Sequence, residues 1–133
     1  MKIAVAIPCY KVKQHVLGVI KEIPDFVAKI YAVDDFCPDG SGQWITQNCK
    51  DPRVSVILHA ENQGVGGAVS TAYKQAIQDG IDIVVKIDGD GQMDPDELLS
   101  LCEPIIFENI DYVKGNRLIH RSALLVIPKV RFF

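Results

Sequence analysis

The stretch IDIVVKIDGDGQ, residues 81–92, joins an apolar run to a pair of carboxylates. Its first seven residues predict a strand that is covered on both faces. Asp88 and Asp90 follow, and side chains two residues apart on an extended backbone point to the same side. Two like charges held that close repel each other unless a cation lies between them. Carboxylate oxygens at the end of a strand suit Mg²⁺ or Mn²⁺, ions that also bind phosphate groups.

Other interpretations of this loop are weaker or already excluded. An Asp-x-Asp pair is common in solvated turns, so the motif needs its structural context. A calcium loop of the EF-hand type requires Gly at its sixth position and Glu at its twelfth, and counting from Asp88 these are Met93 and Leu99. Asp94 and Pro95 fit the start of a helix, so we do not count the later acids as metal ligands.

The composition predicts one folded domain. The chain has 133 residues, of which 48% are hydrophobic, and its net charge is −3. This charge gives no argument for nucleic acid as a partner. No apolar run approaches the ~20 residues of a membrane helix. The sequence begins with a strand pattern rather than a secretory leader, and its four cysteines lack C-x-x-C spacing, so we expect a cytoplasmic protein with reduced thiols and no zinc site.

Apolar runs alternate with helical patterns along the chain. The predicted strands cover residues 2–7, 26–33, 54–59, 81–87 and 110–114, and the predicted helices cover 14–23, 42–49, 68–77 and 95–107. This alternation predicts an α/β fold, a Rossmann-like and mostly parallel sheet with helices on both faces. Ligands of such sheets bind outside the carboxyl ends of the strands. Four segments follow predicted strand ends, and we expect them to line one crevice: residues 8–10, 34–35, 62–67 and 88–92.

The glycine-rich segment NQGVGGA, residues 62–68, precedes a predicted helix. Free N–H groups at a helix start can bind phosphate, which makes Asn62, Gly66 and Gly67 candidate substrate-binding residues. The dinucleotide fingerprint G-x-G-x-x-G is not met, because its third glycine falls at Val69. A tight turn that lets the helix pack closely on the sheet explains the glycines equally well.

Two acids end the second predicted strand. Asp34 and Asp35 can accept hydrogen bonds from a nucleobase or a ribose, or they can begin a loop with local hydrogen bonds. The histidines His15, His59 and His120 have no partner that the sequence reveals, and lone histidines are more often surface or packing residues. No Ser-His-Asp or Cys-His arrangement is indicated.

Five motifs in this order resemble family 2 glycosyltransferases of the GT-A fold, and among them the mannosyl- or glucosyltransferases that use polyprenyl or dolichyl phosphate. They are IPCY (7–10), VDD followed by PDGS (33–41), NQGVGGA (62–68), DGDGQ with DP (88–95) and KGNR (114–117). Each motif alone is weakly specific, whereas the ordered set is specific. The resemblance implies a transferase with a nucleotide-diphospho-sugar donor, such as a GDP- or UDP-sugar.

The resemblance also implies residue roles. Pro8, Tyr10 and Asp35 are expected to touch the base or ribose, with Asp34 nearby. The metal, Mg²⁺ or Mn²⁺, is expected to be held against the diphosphate by Asp88, Asp90 and Gln92. Arg117 matches an arginine that meets the phosphate of the acceptor lipid, and Arg131 matches a second one. Asp90 and Arg117 are therefore our candidate catalytic residues.

The sequence departs from the family pattern at its C-terminal end. Residues 1–117 match the nucleotide-sugar-binding part, and 118–133 correspond to the start of an incomplete acceptor-side region. The run ALLVI, residues 123–127, and the final Phe132 and Phe133 form an apolar tail. We expect this tail to pack on a missing half, a partner subunit as in a homo-oligomer, or a membrane surface. A truncated donor-binding module without transfer activity is the alternative function.

Overall fold

The computed structural model describes residues 2–89 and two short strands at 113–114 and 125–128. The strands are β1 (Ile3–Cys9), β2 (Lys29–Asp34), β3 (Val54–Leu58), β4 (Ile83–Lys86), β5 (Val113–Lys114) and β6 (Leu125–Pro128). The helices are α1 (Val16–Glu22), α2 (Ser41–Asn48) and α3 (Gly64–Gln78). The predicted order of helices and strands is confirmed up to β4, whereas the predicted helix at 95–107 lies outside the described residues.

The strands form one sheet in the order β3-β2-β1-β4-β6-β5. The first four strands of this order are parallel, and β6 pairs antiparallel with both β4 and β5. The α/β prediction of a mostly parallel sheet is therefore confirmed. The expectation that the tail packs outside this domain is corrected for residues 125–128, because Ile127 pairs with Val84 inside the sheet.

Helices cover both faces of the parallel part. Alternate side chains of β1, including Val5 and Ile7, pack with α1 and α2, while Ala4 and Ala6 face α3. The α3 face is built from small residues on both sides, with Ala68, Ala72 and Ala76 opposing the β1 alanines. Small side chains let a helix approach a sheet closely, so the carboxyl end of β1 and the start of α3 are held near each other.

Several predicted boundaries shift by two to four residues, and two of these shifts have a clear physical reason. Strand β1 continues through Pro8 to Cys9, where we expected it to end at Ile7. Proline is tolerated there because the ladder to β4 ends at Ala6, so that on this side no strand hydrogen bond is lost. Helix α3 begins at Gly64, four residues before the predicted start. In the part of the chain that is described, no helix is long and apolar enough to cross a membrane.

Candidate functional site

A cavity of about 440 Å³ opens at the carboxyl ends of β1, β2 and β3. Its wall includes Tyr10 after β1, Asp34 at the end of β2, and Leu58 and His59 at the end of β3. The loop after β2 contributes Phe36. Of the strand-end residues expected to share one crevice, Tyr10 and Asp34 line this cavity, whereas Pro8, Asp35 and the turn at 62–67 are not among its lining residues. This is the edge at which α/β sheets bind ligands.

The rim of the cavity exposes large apolar side chains. Tyr10 is 47% exposed, Phe36 61% and Leu58 58%. Exposed apolar side chains that cluster around a concavity mark binding sites more often than isolated ones do. The two rings offer flat faces, and the ammonium of Lys11 lies 5.6 Å from the centre of the Tyr10 ring. These faces suit a flat, aromatic ligand group.

The two loops that carry these rings are held in an unusual backbone conformation. Lys11 has φ +58° and Phe36 has φ +55°, and within residues 2–89 they are the non-glycine residues with positive φ. The backbone N–H of Lys11 donates to Sγ of Cys37 over 3.0 Å, which joins the loops after β1 and β2. Left-handed backbone at non-glycine residues is costly and concentrates at functional sites.

Cys37 has an anion-stabilising environment in the same wall. Burial by itself would raise the pKa of its thiol, but the hydroxyl of Ser41, 3.2 Å away, and nearby backbone N–H groups lower that pKa below its ordinary value. Cys9 shows the opposite behaviour, since burial raises the pKa of its thiol to about 12. Of these two thiols, Cys37 is the one suited to exist as a thiolate.

Asp34 holds the loop and the start of α2. Its Oδ1 accepts the N–H of Cys37 over 2.7 Å, and its Oδ2 accepts the N–H of Gly42 over 2.8 Å. The interpretation of this residue as the start of a hydrogen-bonded loop therefore describes what the structure shows. Gly42 is required for this contact, because a Cβ there would lie 2.8 Å from Asp34 Oδ2 and would clash with Leu58.

Asp35 is buried behind this wall and ties β2 to the glycine-rich turn. Its Oδ1 accepts the N–H of Gln63 over 2.7 Å, and its main-chain oxygen accepts the amide of Asn62 over 3.2 Å. Burial opposes its ionisation, but the Gln63 N–H and the His59 ring hold the pKa of this carboxyl below its usual value. Asp35 is therefore a carboxylate at neutral pH.

His59 is the functional candidate that the sequence analysis missed. The expectation that it lacks a partner is wrong, because Nδ1 lies 2.9 Å from Oδ1 of Asp35 and Nε2 lies 2.8 Å from Oγ1 of Thr71. The Thr71 hydroxyl also lies 3.0 Å from the carbonyl of Gly67. The partners are 24 and 12 residues away in sequence, and the position of His59 directly after a strand was the one available signal.

The glycines of the turn have separate structural reasons. Gly64 has φ +80°, and a Cβ on Gly67 would lie 2.5 Å from Cβ of Gln63. A Cβ on Gly66 would meet no heavy atom within 4 Å. The tight-turn interpretation therefore explains the glycines at 64 and 67 but gives no reason for the glycine at 66. Phosphate binding by Asn62, Gly66 and Gly67 stays a prediction.

Asp88 follows β4 and forms an ion pair with Lys86. The Nζ–Oδ1 distance is 2.9 Å, and the Asp88 side chain is 28% exposed. The alternation that predicts Asp88 and Asp90 on one side of an extended backbone predicts Lys86 on that side as well. Within the described residues, no group of three His, Cys, Asp or Glu side chains could hold a metal ion. Asp88 alone fits one ligand position of an oxygen-liganded site.

Of the remaining candidate residues, one lies in the described part of the chain. Pro8 is partly exposed at the end of β1. Four others, Asp90, Gln92, Arg117 and Arg131, lie outside the described residues. Their roles stay predictions, as does the division of the chain at residue 117.

Comparison with known sequences gives consistent results. The family described as "Glycosyl transferase family 2" matches residues 4–132. An undecaprenyl-phosphate mannosyltransferase of Micrococcus luteus is 29% identical over 98% of this chain and 54% of its own. A UDP-N-acetylglucosamine–dolichyl-phosphate N-acetylglucosaminyltransferase of Methanococcus voltae is 44% identical over 50% of this chain and 26% of its own. The chain thus spans about half the length, or less, of these two curated relatives.

Solved structures share the fold. The mannosyltransferase PcManGT from Pyrobaculum calidifontis, in complex with GDP-Man and Mn²⁺, superposes with a TM-score of 0.73 at 19% identity and covers 95% of this chain and 44% of its own. S. aureus TarS in complex with UDP-GlcNAc gives 0.68 at 21% identity, over 84% of this chain and 33% of its own. At these identities the likeness supports the GT-A fold alone.

Proposed function

The chain belongs to glycosyl transferase family 2, and from that premise we propose that it binds a nucleotide-diphospho-sugar at the carboxyl edge of its sheet. The sugar is then transferred to an acceptor. The cavity of about 440 Å³ is the observation that carries this proposal. It lies where α/β sheets bind nucleotides, and exposed aromatic rings border it. A GDP-mannose complex and a UDP-N-acetylglucosamine complex among the fold neighbours support the donor class.

The nucleoside occupies this cavity. Its base stacks on Tyr10 or Phe36, whose side chains are exposed, and stacking on such rings is worth about 1–3 kcal/mol per base in proteins that bind single-stranded nucleic acids. Pro8 at the end of β1 remains a candidate for contact with the base or ribose, and Asp34 in the cavity wall keeps the loop in place. Asp35, which was expected to touch the nucleoside directly, is buried behind the wall and would support the site from there. The loops are already fixed by the Lys11–Cys37 contact, which reduces the entropy lost on binding.

The diphosphate lies beyond β4. Asp88, with Asp90 and Gln92, would hold Mg²⁺ or Mn²⁺, because their oxygen donors suit these ions. The ion, when bound, neutralises charge that develops on the departing nucleoside diphosphate. Lys86 orients Asp88 through their ion pair and adds positive charge near the phosphates. Asn62, Gly66 and Gly67 are candidates for further contacts with the donor.

The acceptor we propose is a polyprenyl phosphate. The names of the Micrococcus luteus and Methanococcus voltae relatives include such acceptors. A lipid phosphate is already anionic, so its oxygen can attack the anomeric carbon and invert it without a dedicated general base. Arg117 and Arg131 would contact that phosphate. A lipid acceptor would bring the protein to the cytoplasmic face of a membrane.

A donor-binding module without transfer activity is the second candidate. It is favoured by one observation, that the cavity and its apolar rim account for donor binding alone. Calorimetry with GDP or UDP and Mn²⁺, together with a transfer assay on polyprenyl phosphate, separates the two functions. Transfer supports the enzyme, binding without transfer supports the module, and no metal-dependent binding of either nucleotide would overturn both.

Matched variants test the two halves of the site. Phe36→Ala should weaken nucleotide binding roughly tenfold if the ring stacks on the base. Phe26→Ala is its control, because Phe26 is similarly exposed but lies before β2. Asp90→Ala should abolish the dependence of nucleotide affinity on Mn²⁺. Its control is Asp25→Ala, which removes an exposed acid before β2 and should leave that dependence unchanged. Equal behaviour of a variant and its control would remove the ring or the acid from the site.

A further inference from the structure

His59 borders the cavity and contacts two other parts of the fold, the end of β2 and helix α3. It follows β3, and its backbone N–H donates to the carbonyl of Asp34 over 2.8 Å. His59 lines the cavity as a residue, but its side chain is only 5% exposed and the ring lies behind the wall. The ring joins Asp35, after β2, to Thr71 in the second turn of α3. His59 therefore connects the back wall of the cavity to both neighbouring elements.

The directions of these hydrogen bonds follow from chemistry. A carboxylate only accepts, so Nδ1 of His59 carries a proton and donates it to Asp35. Thr71 has a single hydroxyl proton, which it gives either to Nε2 of His59 or to the carbonyl of Gly67. If it gives the proton to Gly67, then Nε2 must donate to Thr71. Both arrangements leave each ring nitrogen with a partner, so the ring orientation is fixed in either protonation state.

We propose that His59 is a positioning residue for nucleoside binding, which acts by holding Asp35 and the glycine-rich turn against the cavity. This inference rests on the proposed function. Asp35 accepts the Gln63 N–H through the same oxygen that meets His59. Loss of the ring leaves a buried carboxylate with fewer donors, and the turn at residues 62–64 loses the support that fixes it.

The test compares nucleotide affinity with stability in four variants. His59→Leu removes both hydrogen bonds, His59→Asn keeps a donor near the position of Nδ1, and Thr71→Val removes the hydroxyl. The control is Tyr31→Phe, which deletes a partly buried hydrogen bond of 2.6 Å to Asp79 at the other end of α3. Affinity for GDP and UDP with Mn²⁺ is measured by calorimetry, and stability by thermal unfolding.

We expect His59→Leu to lose at least tenfold in affinity, His59→Asn to recover part of that loss, and Tyr31→Phe to bind like the parent despite its lower stability. Thr71→Val should show an intermediate loss, so the test still decides if His59→Leu fails to fold. Parent-like affinity in folded His59→Leu or in both His59→Asn and Thr71→Val would overturn the positioning role alone. Affinity that falls in step with stability in all four variants would make the role merely structural. Absence of binding by the parent would overturn the proposed function and the inference together.

Discussion

Substitution of Gly42 by alanine tests how the cavity wall is built. A Cβ at this position would lie 2.8 Å from both Cβ and Oδ2 of Asp34 and would clash with Cδ2 of Leu58. The two Asp34 atoms cannot move away without breaking the 2.8 Å hydrogen bond that Oδ2 accepts from the Gly42 N–H. Overpacking of this kind costs about 1–3 kcal/mol, and the better helix propensity of alanine offsets less than 1 kcal/mol.

The net loss in the free energy of unfolding is therefore about 1–2 kcal/mol. For a domain of this size, 1 kcal/mol corresponds to about 4 °C in Tm, so Tm should fall by roughly 4–8 °C. Gly18→Ala is the matched control, because a Cβ on this exposed helical glycine meets no heavy atom within 4 Å. It should raise stability by about 0.5–1 kcal/mol.

Urea and thermal unfolding followed by fluorescence measure both variants, since Trp44 is the single tryptophan. Nucleotide affinity should also fall for Gly42→Ala, because Asp34 and Leu58 line the cavity. A Gly42→Ala protein as stable as Gly18→Ala would refute the packing argument. Lower stability with parent-like nucleotide affinity would show that this part of the cavity wall does not take part in binding.

Three further predictions use the ionisable side chains. Cys37 should react with iodoacetamide before Cys9 at neutral pH, because the pKa of its thiol is lowered whereas the pKa of the Cys9 thiol is about 12. Peptide mass spectrometry measures the labelling rates, and faster labelling of Cys9 would contradict the prediction. The pKa of Asp35 in the folded protein lies below its ordinary value of 3.8. The contribution of this carboxylate to stability should therefore be complete above pH 3.8 and be lost as the pH falls through the folded-state pKa. Asp35→Asn should flatten this part of a plot of urea midpoint against pH, and an unchanged plot would refute the prediction. Arg53→Lys should lower the free energy of unfolding in urea by about 2 kcal/mol, because lysine cannot replace the guanidinium that donates to Asp51 and to main-chain carbonyls before β2. Parent-like stability of this variant would disprove that role.

The sequence predicted most of the sheet because its strands are buried on both faces. Such strands appear as short, nearly continuous apolar runs, and the helices between them have a different period. The carboxyl-edge rule then brought Tyr10, Asp34 and the other strand-end residues to one side without any knowledge of contacts. Pro8 and Gly64 misled the boundary predictions, because proline and glycine usually end elements. Here Pro8 lies where no hydrogen bond between strands is lost, and Gly64 begins a helix with a positive φ.

The network around His59 could not be predicted from local patterns. Its side-chain partners come from a different strand end and a different helix, and their approach depends on how β2, β3 and α3 pack. The antiparallel β6 was also missed, because a strand of four residues has no period that distinguishes it from an apolar tail. Pairing that is set by long-range packing leaves no trace in a window of neighbouring residues.

The position of β6 beside β4 has a consequence during synthesis. Strand β4 is translated about forty residues before β6, so at roughly 5–20 residues per second its outer edge waits about 2–8 s for its partner. An open, apolar strand edge is a template for pairing between nascent chains. We expect a chain that stops at residue 124 to self-associate, and light scattering against the 133-residue protein would measure it. Pairing with β6 thus covers the outer edge of β4 against such association.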